Sequence, residues 1–442
     1  MKKIALVLPE AGPVPAVRGG AIEELLTILV EQNEIEHRVQ FIVFCADNEQ
    51  ARAIAEKYKY SKIIYLPKTT LADRLINRVI RYSNRIIKNK TWIDIAYYRR
   101  VFRYLKEYRP DAIVAEGGLY HEFKRFAQEF GKENVYLHIH HHLLCEPYID
   151  HIYGSVIGIS QFATREWMRT TEDKDVKAYT VYNCVNEDKF KKRITPEERE
   201  RIRGEFGFKR EDTILLFCGR IIEVKGVREL LQAVINLKRP DIKLLMIGSA
   251  GFGGNVVTPY VQEVQKLVEK AGERVKFTGY IENQKLYRYY QSADIQVIPS
   301  LWEEAAGLIA IEGMLSGLPL IITKSGGMIE YAPSNVAVWI DRDNIIPNLE
   351  AAITQLADDK EKRKEMSELS LERAKEFPKK KFYEDYIEVF EYERIGDRYG
   401  THYKYNCKLC DIYCRTWHSV FLYTVFDRYS RGRGIWFCES WK

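Results

Sequence analysis

The chain has 442 residues, of which 46% are hydrophobic and 29% are charged, and its formal net charge is +6 at pH 7. This length allows two or three domains with sizeable cores, and the composition is that of an ordinary soluble globular protein. No uncharged apolar run approaches the ~18 residues of a membrane span, and the eight cysteines largely lack the spacing of a disulfide framework. We therefore expect a cytoplasmic protein, or one held peripherally at the inner face of a membrane.

Short β-branched runs alternate with helical patterns in the first part of the chain. The run KIALVLP has too few apolar residues before Pro9 for a secretory signal and predicts a first strand. Gly19 and Gly20 follow it and open a helix, as either a tight turn or a close approach to a phosphate would require. Further strands are predicted at HRVQFIVFC, KIIYLP, DAIVAEGG, NVYLHIH and SVIGIS. This alternation predicts a doubly wound α/β fold with a parallel sheet.

The segment 68–109 concentrates basic charge, with twelve Lys and Arg against three acidic residues. Basic residues at 74, 78, 81, 85 and 88 follow one stripe of a helix, beside an apolar face that includes Leu75, Val79, Tyr82 and Ile86. Such a helix suits an anionic membrane surface or a lipid diphosphate acceptor. Alternatively, its apolar face packs in the core and its charges face water. A nucleic-acid partner is not expected, because no nucleic-acid-binding fold is recognised.

The alternation restarts after a charged stretch at 191–203, with TILLFCG, IKLLMIGS, VKFTGY, IQVIPS and LPLIIT. Two such halves predict two Rossmann-like domains, whose ligands bind outside the carboxyl ends of the strands. Arg220 and Lys225 lie in such a loop, just before a helix, where cations and free backbone N–H groups form an anion site. A solvated surface pair is the alternative. The next loop, GSAGFGG, lacks the dinucleotide-binding spacing, which argues against a dehydrogenase.

Acidic residues mark two further loops. In PSLWEEAAGLIAIEGMLSG, Glu304 lies in a loop and Glu312 about one turn inside the next helix, while SGGMIEY places Gly326, Gly327 and Glu330 on the following loop. Carboxylates can accept paired hydrogen bonds from sugar hydroxyls. Each acid alone fits an ordinary surface position, but their occurrence on successive loops predicts a sugar-binding site.

The ordered motifs RGGAIEE, YNCVNEDKF, CGRIIEVKG, FTGY, ADIQVIPS, EEAAGLIAIEGMLSGLPLI and SGGMIE resemble those of the retaining glycosyltransferases of family 4. The resemblance extends from residue 1 to about 390. It implies the GT-B architecture, in which two Rossmann-like domains with parallel sheets face each other across a cleft. The implied domains are an acceptor-side domain at 1–185, a nucleotide-sugar-binding domain at 186–375, a helix at 376–390 that returns to the first domain, and an extension at 391–442 outside the pattern.

The resemblance also implies roles for single residues. Arg220 and Lys225 would hold the donor diphosphate, Glu304 the sugar hydroxyls and Glu312 the ribose. His140 matches the family's histidine near the donor sugar, although His141 or His142 could take that place, and histidines at the edge of the core are the plain alternative. Other residues implied to bind the donor are Gly19, Gly20, Gly219, Gly248, Gly326, Gly327 and Glu330.

The implied reaction is transfer of a sugar from a UDP- or GDP-type donor to an acceptor hydroxyl, with retention, during assembly of a surface polysaccharide on a lipid carrier. We expect no metal and no other cofactor, because two cations and a helix N-terminus can stabilise the departing diphosphate. The DRD sequence at 341–343 is predicted to be a surface turn. The alternatives are a sugar-nucleotide epimerase of the same fold and a non-catalytic, membrane-associated protein that binds nucleotide sugars.

The extension 391–442 differs in composition from the rest, with thirteen aromatic residues and four of the eight cysteines. Cys407, Cys410 and Cys414 contain one C-x-x-C spacing, which a zinc site could use, whereas the alternative is a disordered or loosely docked extension. We predict the second, so removal of this segment should leave folding and activity intact.

Overall fold

The computed structural model describes residues 1–10, 12–17, 20–87, 92–251 and 256–399, with only the backbone for 392–399. Met1–Phe390 form one compact unit, and Glu391–Lys442 are grouped as another. The predictions for Gly19, for the basic residue at 88 and for the cysteines beyond 400 lie outside the described residues.

Within the described residues, seven parallel strands form the sheet of the first half, in the order β3-β2-β1-β4-β5-β6-β7. The strands are β1 (Lys2–Val7), β2 (Val39–Ala46), β3 (Ser61–Leu66), β4 (Ala112–Ala115), β5 (Val135–Ile139), β6 (Ser155–Gly158) and β7 (Lys177–Thr180). The helices are α1 (Ala21–Glu36), α2 (Glu49–Ala55), α3 (Leu71–Ile86), α4 (Ala96–Tyr108), α5 (Phe123–Phe130) and α6 (Gln161–Thr170). The inner strands are almost wholly buried, as expected for a parallel sheet covered on both faces.

In the described part of the second half, six parallel strands form another sheet, in the order β10-β9-β8-β11-β12-β13. The strands are β8 (Thr213–Cys218), β9 (Ile242–Ile247), β10 (Val275–Phe277), β11 (Ile295–Ile298), β12 (Leu320–Thr323) and β13 (Ala337–Ile340). The helices are α7 (Asp188–Lys191), α8 (Pro196–Glu205), α9 (Val227–Leu237), α10 (Pro259–Ala271), α11 (Leu286–Ser292), α12 (Leu308–Leu315), α13 (Met328–Tyr331), α14 (Ile345–Asp358), α15 (Lys360–Ala374) and α16 (Lys379–Tyr399). Helices α8 and α10 begin with proline after a threonine whose hydroxyl accepts a backbone N–H, a combination that favours helix initiation.

The strand order reverses once in each sheet, between β1 and β4 and between β8 and β11. Doubly wound sheets bind ligands outside the carboxyl ends of the strands at this reversal. The loop after β8 carries Lys225, and the loop after β11 carries Glu304, so the second reversal brings two predicted site residues together. The two parallel α/β sheets confirm the predicted fold class, whereas the exact domain limits stay a prediction.

Helix α16 packs on the first sheet, although it follows the second in the chain. Its buried residues Phe382, Tyr386 and Phe390 share a core with β1 and α1. Lys2 Nζ donates to Phe390 O at 2.8 Å, which fixes the helix beside the first strand. The last helix therefore connects the chain back to the first half.

Helix α3 exposes the apolar face that the sequence placed beside its basic stripe. Leu75, Val79 and Tyr82 are each 64–65% exposed. Polar contacts attach α3 to α4 and to the segment just before α4. One of them is the ion pair between Arg100 and Asp73, at 2.6 Å. The alternative in which this face packs in the core is wrong for these residues. No helix in the described ranges is both long enough and apolar enough to cross a membrane.

Candidate active site

The loops after β8 and β11 meet at the reversal point of the second sheet. Lys225 Nζ lies 2.5 Å from Glu304 Oε1, although the two residues are 79 positions apart in the chain. Ser300 Oγ donates to the same carboxylate oxygen at 2.6 Å. The Lys225 and Glu304 side chains are only 15% and 11% exposed. The cation and the carboxylate predicted to bind the diphosphate and the sugar are therefore direct neighbours.

A glycine permits this close approach. Gly226 has φ 67°, and a Cβ at this position would lie 1.9 Å from the carbonyl oxygen of Pro299, at the end of β11. A side chain at 226 would push the start of α9 away from β11. Because Lys225 directly precedes this glycine, the same contact brings its side chain within reach of Glu304.

The loop after β12 closes against Glu304 from the other side. Ser325 Oγ accepts a hydrogen bond from Glu304 N at 2.9 Å, and Gly327 N donates to Glu304 O at 2.7 Å. A Cβ at Gly326 would lie 2.4 Å from Glu304 O. The two glycines therefore bring the loop backbone onto Glu304, and its backbone conformation is fixed by hydrogen bonds.

Glu312 lies in the second half of α12 and is partly buried. Its Oε2 accepts a hydrogen bond from Tyr290 OH at 2.7 Å. Burial raises the pKa of Glu312 from 4.5 to about 7, and the Tyr290 hydrogen bond opposes this rise only in part. The nearby charges of Glu24 and Lys189 act in opposite directions on this pKa. Hydroxyl groups that donate to Glu312 would favour its ionised form.

Glu24 in the first turn of α1 connects the first half to this region. Its carboxylate lies 3.1 Å from Lys189 Nζ and accepts a hydrogen bond from Asn283 Nδ2 at 2.6 Å. Glu24 N also donates to Gly20 O, so Gly20 lies in the same helix turn. Sequence reasoning did not single out Glu24, Lys189 or Asn283. Glu24 lies in the RGGAIEE motif and Lys189 in YNCVNEDKF, but a contact between distant segments produces no local sequence pattern.

The other predicted residues of the second half lie at the same end of the sheet. Gly219 and Gly248 end neighbouring strands, and a Cβ at Gly248 would lie 1.8 Å from Gly219 O. Arg220 is half-buried and shares its loop with Lys225. The structure thus groups these three residues with the Lys225 loop.

Glu330 faces the first half of the chain. Its two carboxylate oxygens accept hydrogen bonds from Gln161 N at 2.8 Å and Phe162 N at 2.7 Å, in the first turn of α6. Tyr182 OH donates to the same carboxylate at 2.9 Å. A carboxylate at a helix N-terminus is stabilised by the free N–H groups there. Glu330 therefore joins the two halves, and its predicted contact with the donor stays a prediction.

The three consecutive histidines have different surroundings. His140 is buried and lies 2.8 Å from Glu116 through Nε2, while His141 and His142 are exposed. His142 packs on the ring of Phe162, with 5.2 Å between ring centroids. Only His140 therefore belongs to a buried polar cluster. Glu116 was not singled out from the sequence, although it ends a predicted strand.

Two groups of side chains among the described residues are of types that bind metals and lie within 4.8 Å of one another. They are Glu116, His138 and His140, and at the surface Asp150, His151 and Glu172. Asp341 and Asp343 of the DRD sequence are exposed, and Lys324 Nζ lies 2.9 Å from Asp341. Arg342 pairs with Glu303. The DRD residues thus form a surface turn.

Residues 198–373 match the family model described as glycosyl transferases group 1. Spore coat protein SA of Bacillus subtilis is 26% identical over 406 residues, which are 89% of this chain and all of that protein. The lipopolysaccharide 1,2-N-acetylglucosaminetransferase of Salmonella typhimurium is 27% identical over 164 residues, which are 35% of this chain and 43% of that enzyme.

Among solved structures, Anabaena Alr3699/HepE in complex with UDP superposes with a TM-score of 0.67 at 17% identity, over 88% of this chain and all of that one. This likeness shows the fold, and the family match covers the half that contains Lys225, Glu304 and Glu312. Residues 198–373 are therefore a glycosyl transferases group 1 segment within a chain of the GT-B fold.

Proposed function

We propose that this protein is a retaining, metal-independent glycosyltransferase of family 4 that uses a nucleotide-sugar donor. The observation that carries this proposal is the contact between Lys225 and Glu304 at the reversal point of the second sheet. A diphosphate held by Lys225 would present its attached sugar to the Glu304 carboxylate. The Alr3699/HepE structure, which contains UDP, supports a donor of the UDP type.

The charges around Lys225 suit the departure of a diphosphate. Cleavage of the bond between the sugar and the diphosphate places negative charge on the phosphate oxygens. Lys225 and Arg220 lie in the loop between β8 and α9, and the first N–H groups of α9 add to the positive potential. Because these groups are held in place before the reaction, they can stabilise the developing charge without reorganisation.

Glu312 suits the ribose of the nucleotide. It is a partly buried carboxyl whose Oε2 accepts a hydrogen bond from Tyr290 OH. Two ribose hydroxyls can donate to a carboxylate, and such donors favour its ionised form. Lys189 lies close enough to lower the pKa of Glu312, which also supports the ionised form once a nucleotide binds.

A binding panel tests the donor proposal. Wild-type protein, Lys225→Gln and the control Lys324→Gln would be titrated with UDP, GDP, ADP, TDP and their sugar conjugates, with a chelator present. One nucleotide at ~100 times its dissociation constant should stabilise wild type and the control by about 2.7 kcal/mol. Lys225→Gln should lose most of that effect. No stabilisation by any nucleotide or nucleotide sugar would contradict the proposed donor site.

Product analysis tests the reaction itself. With the donor that the panel identifies, NMR of the product should show the anomeric configuration of the donor, and a chelator should leave the rate unchanged. Loss of activity on chelation with recovery on adding manganese would contradict metal independence. Conversion of the donor sugar without an acceptor would instead indicate an epimerase.

We further propose that α3 binds an anionic membrane surface and brings the enzyme to a lipid-linked acceptor in polysaccharide assembly. Leu75, Val79 and Ile86 expose 61–64% of their surface beside the basic stripe. Exposed apolar side chains next to cations match the interface of an anionic bilayer. The similarity to the lipopolysaccharide 1,2-N-acetylglucosaminetransferase supports a lipid-linked acceptor.

Vesicle binding tests this surface. Wild-type protein should sediment with vesicles that contain anionic lipid at low salt and should remain free with zwitterionic vesicles. The double variant Leu75→Ser, Val79→Ser should lose binding. Ile35→Ser is the matched control, because Ile35 is a similarly exposed residue, at 66%, on a different helix. Absence of wild-type binding to anionic vesicles would end the membrane proposal.

A further inference from the structure

A buried carboxylate lies between two histidines at the reversal point of the first sheet. Glu116 directly follows β4, and His138 and His140 lie at the end of the neighbouring strand β5. Glu116 Oε2 is 2.8 Å from His138 Nδ1 and 2.8 Å from His140 Nε2. Tyr386 OH, on α16, donates to the other carboxylate oxygen at 2.8 Å. All four side chains are buried.

The hydrogen bonds determine which ring nitrogens carry protons. An ionised carboxylate only accepts hydrogen bonds, so both nitrogens that face Glu116 must be N–H groups. A neutral His140 has one N–H, which leaves its Nδ1 as a bare acceptor. Burial lowers the pKa of His140 to about 4, and the nearby His138 adds to this effect. His140 is therefore neutral at pH 7.

This nitrogen, His140 Nδ1, is buried, and the described residues provide it with no hydrogen-bond partner. A buried acceptor without a donor costs free energy unless a ligand supplies one. The His138 and His140 rings lie 4.1 Å apart between centroids, so each restricts rotation of the other. The cluster therefore holds His140 Nδ1 in a fixed orientation.

The cluster lies near the loop that carries Glu304. His142, two residues after His140, packs on the ring of Phe162, with 5.2 Å between ring centroids. The Phe162 ring lies 2.9 Å from the position that a Cβ at Gly326 would take, and the same Cβ would lie 2.4 Å from Glu304 O. The segment after β5 thus reaches the Glu304 loop through Phe162. A sugar held at Glu304 would have its hydroxyl groups close to the end of β5.

We propose that Glu116 is a positioning residue that fixes His140 in the Nε2–H tautomer, so that Nδ1 accepts a hydrogen bond from a hydroxyl of the donor sugar. This inference rests on the proposed function and adds Glu116 and its supporting Tyr386 to the residues that orient the sugar. A metal ion bound by Glu116, His138 and His140 is the competing occupant, and it would replace both N–H protons.

The tautomer is measured first, on the full-length protein without ligand. Long-range proton–nitrogen NMR of protein labelled at the histidine rings separates the two tautomers, and the variant His140→Asn assigns the signal. We expect Nε2–H with a bare Nδ1 in wild type and in Tyr386→Phe, which keeps both histidine contacts. Glu116→Gln should give a mixture, because an amide can also donate. An Nδ1–H tautomer, an imidazolium or metal-bound nitrogens in wild type would overturn the proposal.

The second measurement compares dissociation constants for UDP and UDP-glucose. Glu116→Gln and His140→Asn should weaken UDP-glucose binding by about 3–10-fold, the effect of one neutral hydrogen bond, and leave UDP binding within about twofold. Equal weakening of both ligands, or no weakening of UDP-glucose binding, would overturn a role at the sugar. If neither UDP nor any other nucleotide of the binding panel binds, the proposed function fails, and the tautomer measurement still decides the role of Glu116.

Discussion

Replacing Glu312 with glutamine should remove a pH dependence from the stability of the protein. Burial raises the pKa of Glu312 from 4.5 to about 7. Between these values the native state keeps a proton that the unfolded chain has released, so the free energy of unfolding falls as the pH rises. At about 1.4 kcal/mol per pKa unit, the loss is about 3 kcal/mol by about pH 8.5. A glutamine stays neutral and can still accept from Tyr290.

Urea unfolding between about pH 5 and about pH 8.5, followed by tryptophan fluorescence, measures this effect. Glu312→Gln and wild type should be similar in stability near pH 5, and the variant should be about 3 kcal/mol more stable at the alkaline end. Glu303→Gln is the matched control, because Glu303 lies in the same stretch and pairs with Arg342. It should keep the wild-type pH profile. Parallel profiles for wild type and Glu312→Gln would refute the reasoning.

Three further predictions concern the same region. Nucleotide binding near pH 7 should release protons from Glu312, so calorimetric heats should vary with the ionisation enthalpy of the buffer; equal heats would contradict a contact with the ribose. Gly226→Ala should destabilise the protein by about 1–3 kcal/mol in thermal unfolding, because the new Cβ would meet Pro299 O. The control Gly204→Ala should not destabilise it, because a Cβ at Gly204 would point into open space. Glu330→Gln should cost about 1–2 kcal/mol by removing the charge at the start of α6, and an unchanged melting temperature would count against that role.

The sequence was sufficient for the fold class and for the candidate loops. Alternation of buried strands with helices is a local pattern, and parallel sheets produce it directly. Glycine, lysine and acidic residues directly after predicted strands were also recognisable, because strand ends are where doubly wound sheets bind ligands. Lys225, Glu304 and Glu312 could therefore be proposed one by one.

Relations between distant segments were not accessible in the same way. The sequence left open whether the apolar side of α3 is buried, because amphipathic periodicity is the same whether that side meets a core or a partner. It placed Glu330 with the donor loops, whereas its carboxylate contacts the start of α6. It gave no reason to connect Glu116 with His140.

The sequence by itself determined the strands, the helices and the residue types at each strand end, because hydrophobic periodicity and turn chemistry act over a few neighbouring positions. Only the tertiary structure decided that Lys225 meets Glu304, that Glu24 reaches Lys189 and that Tyr386 supports Glu116. The reason is physical: strand order sets which loops share an edge of a sheet, and packing of the two halves sets which side chains meet. Neither is a property of any short stretch of the chain.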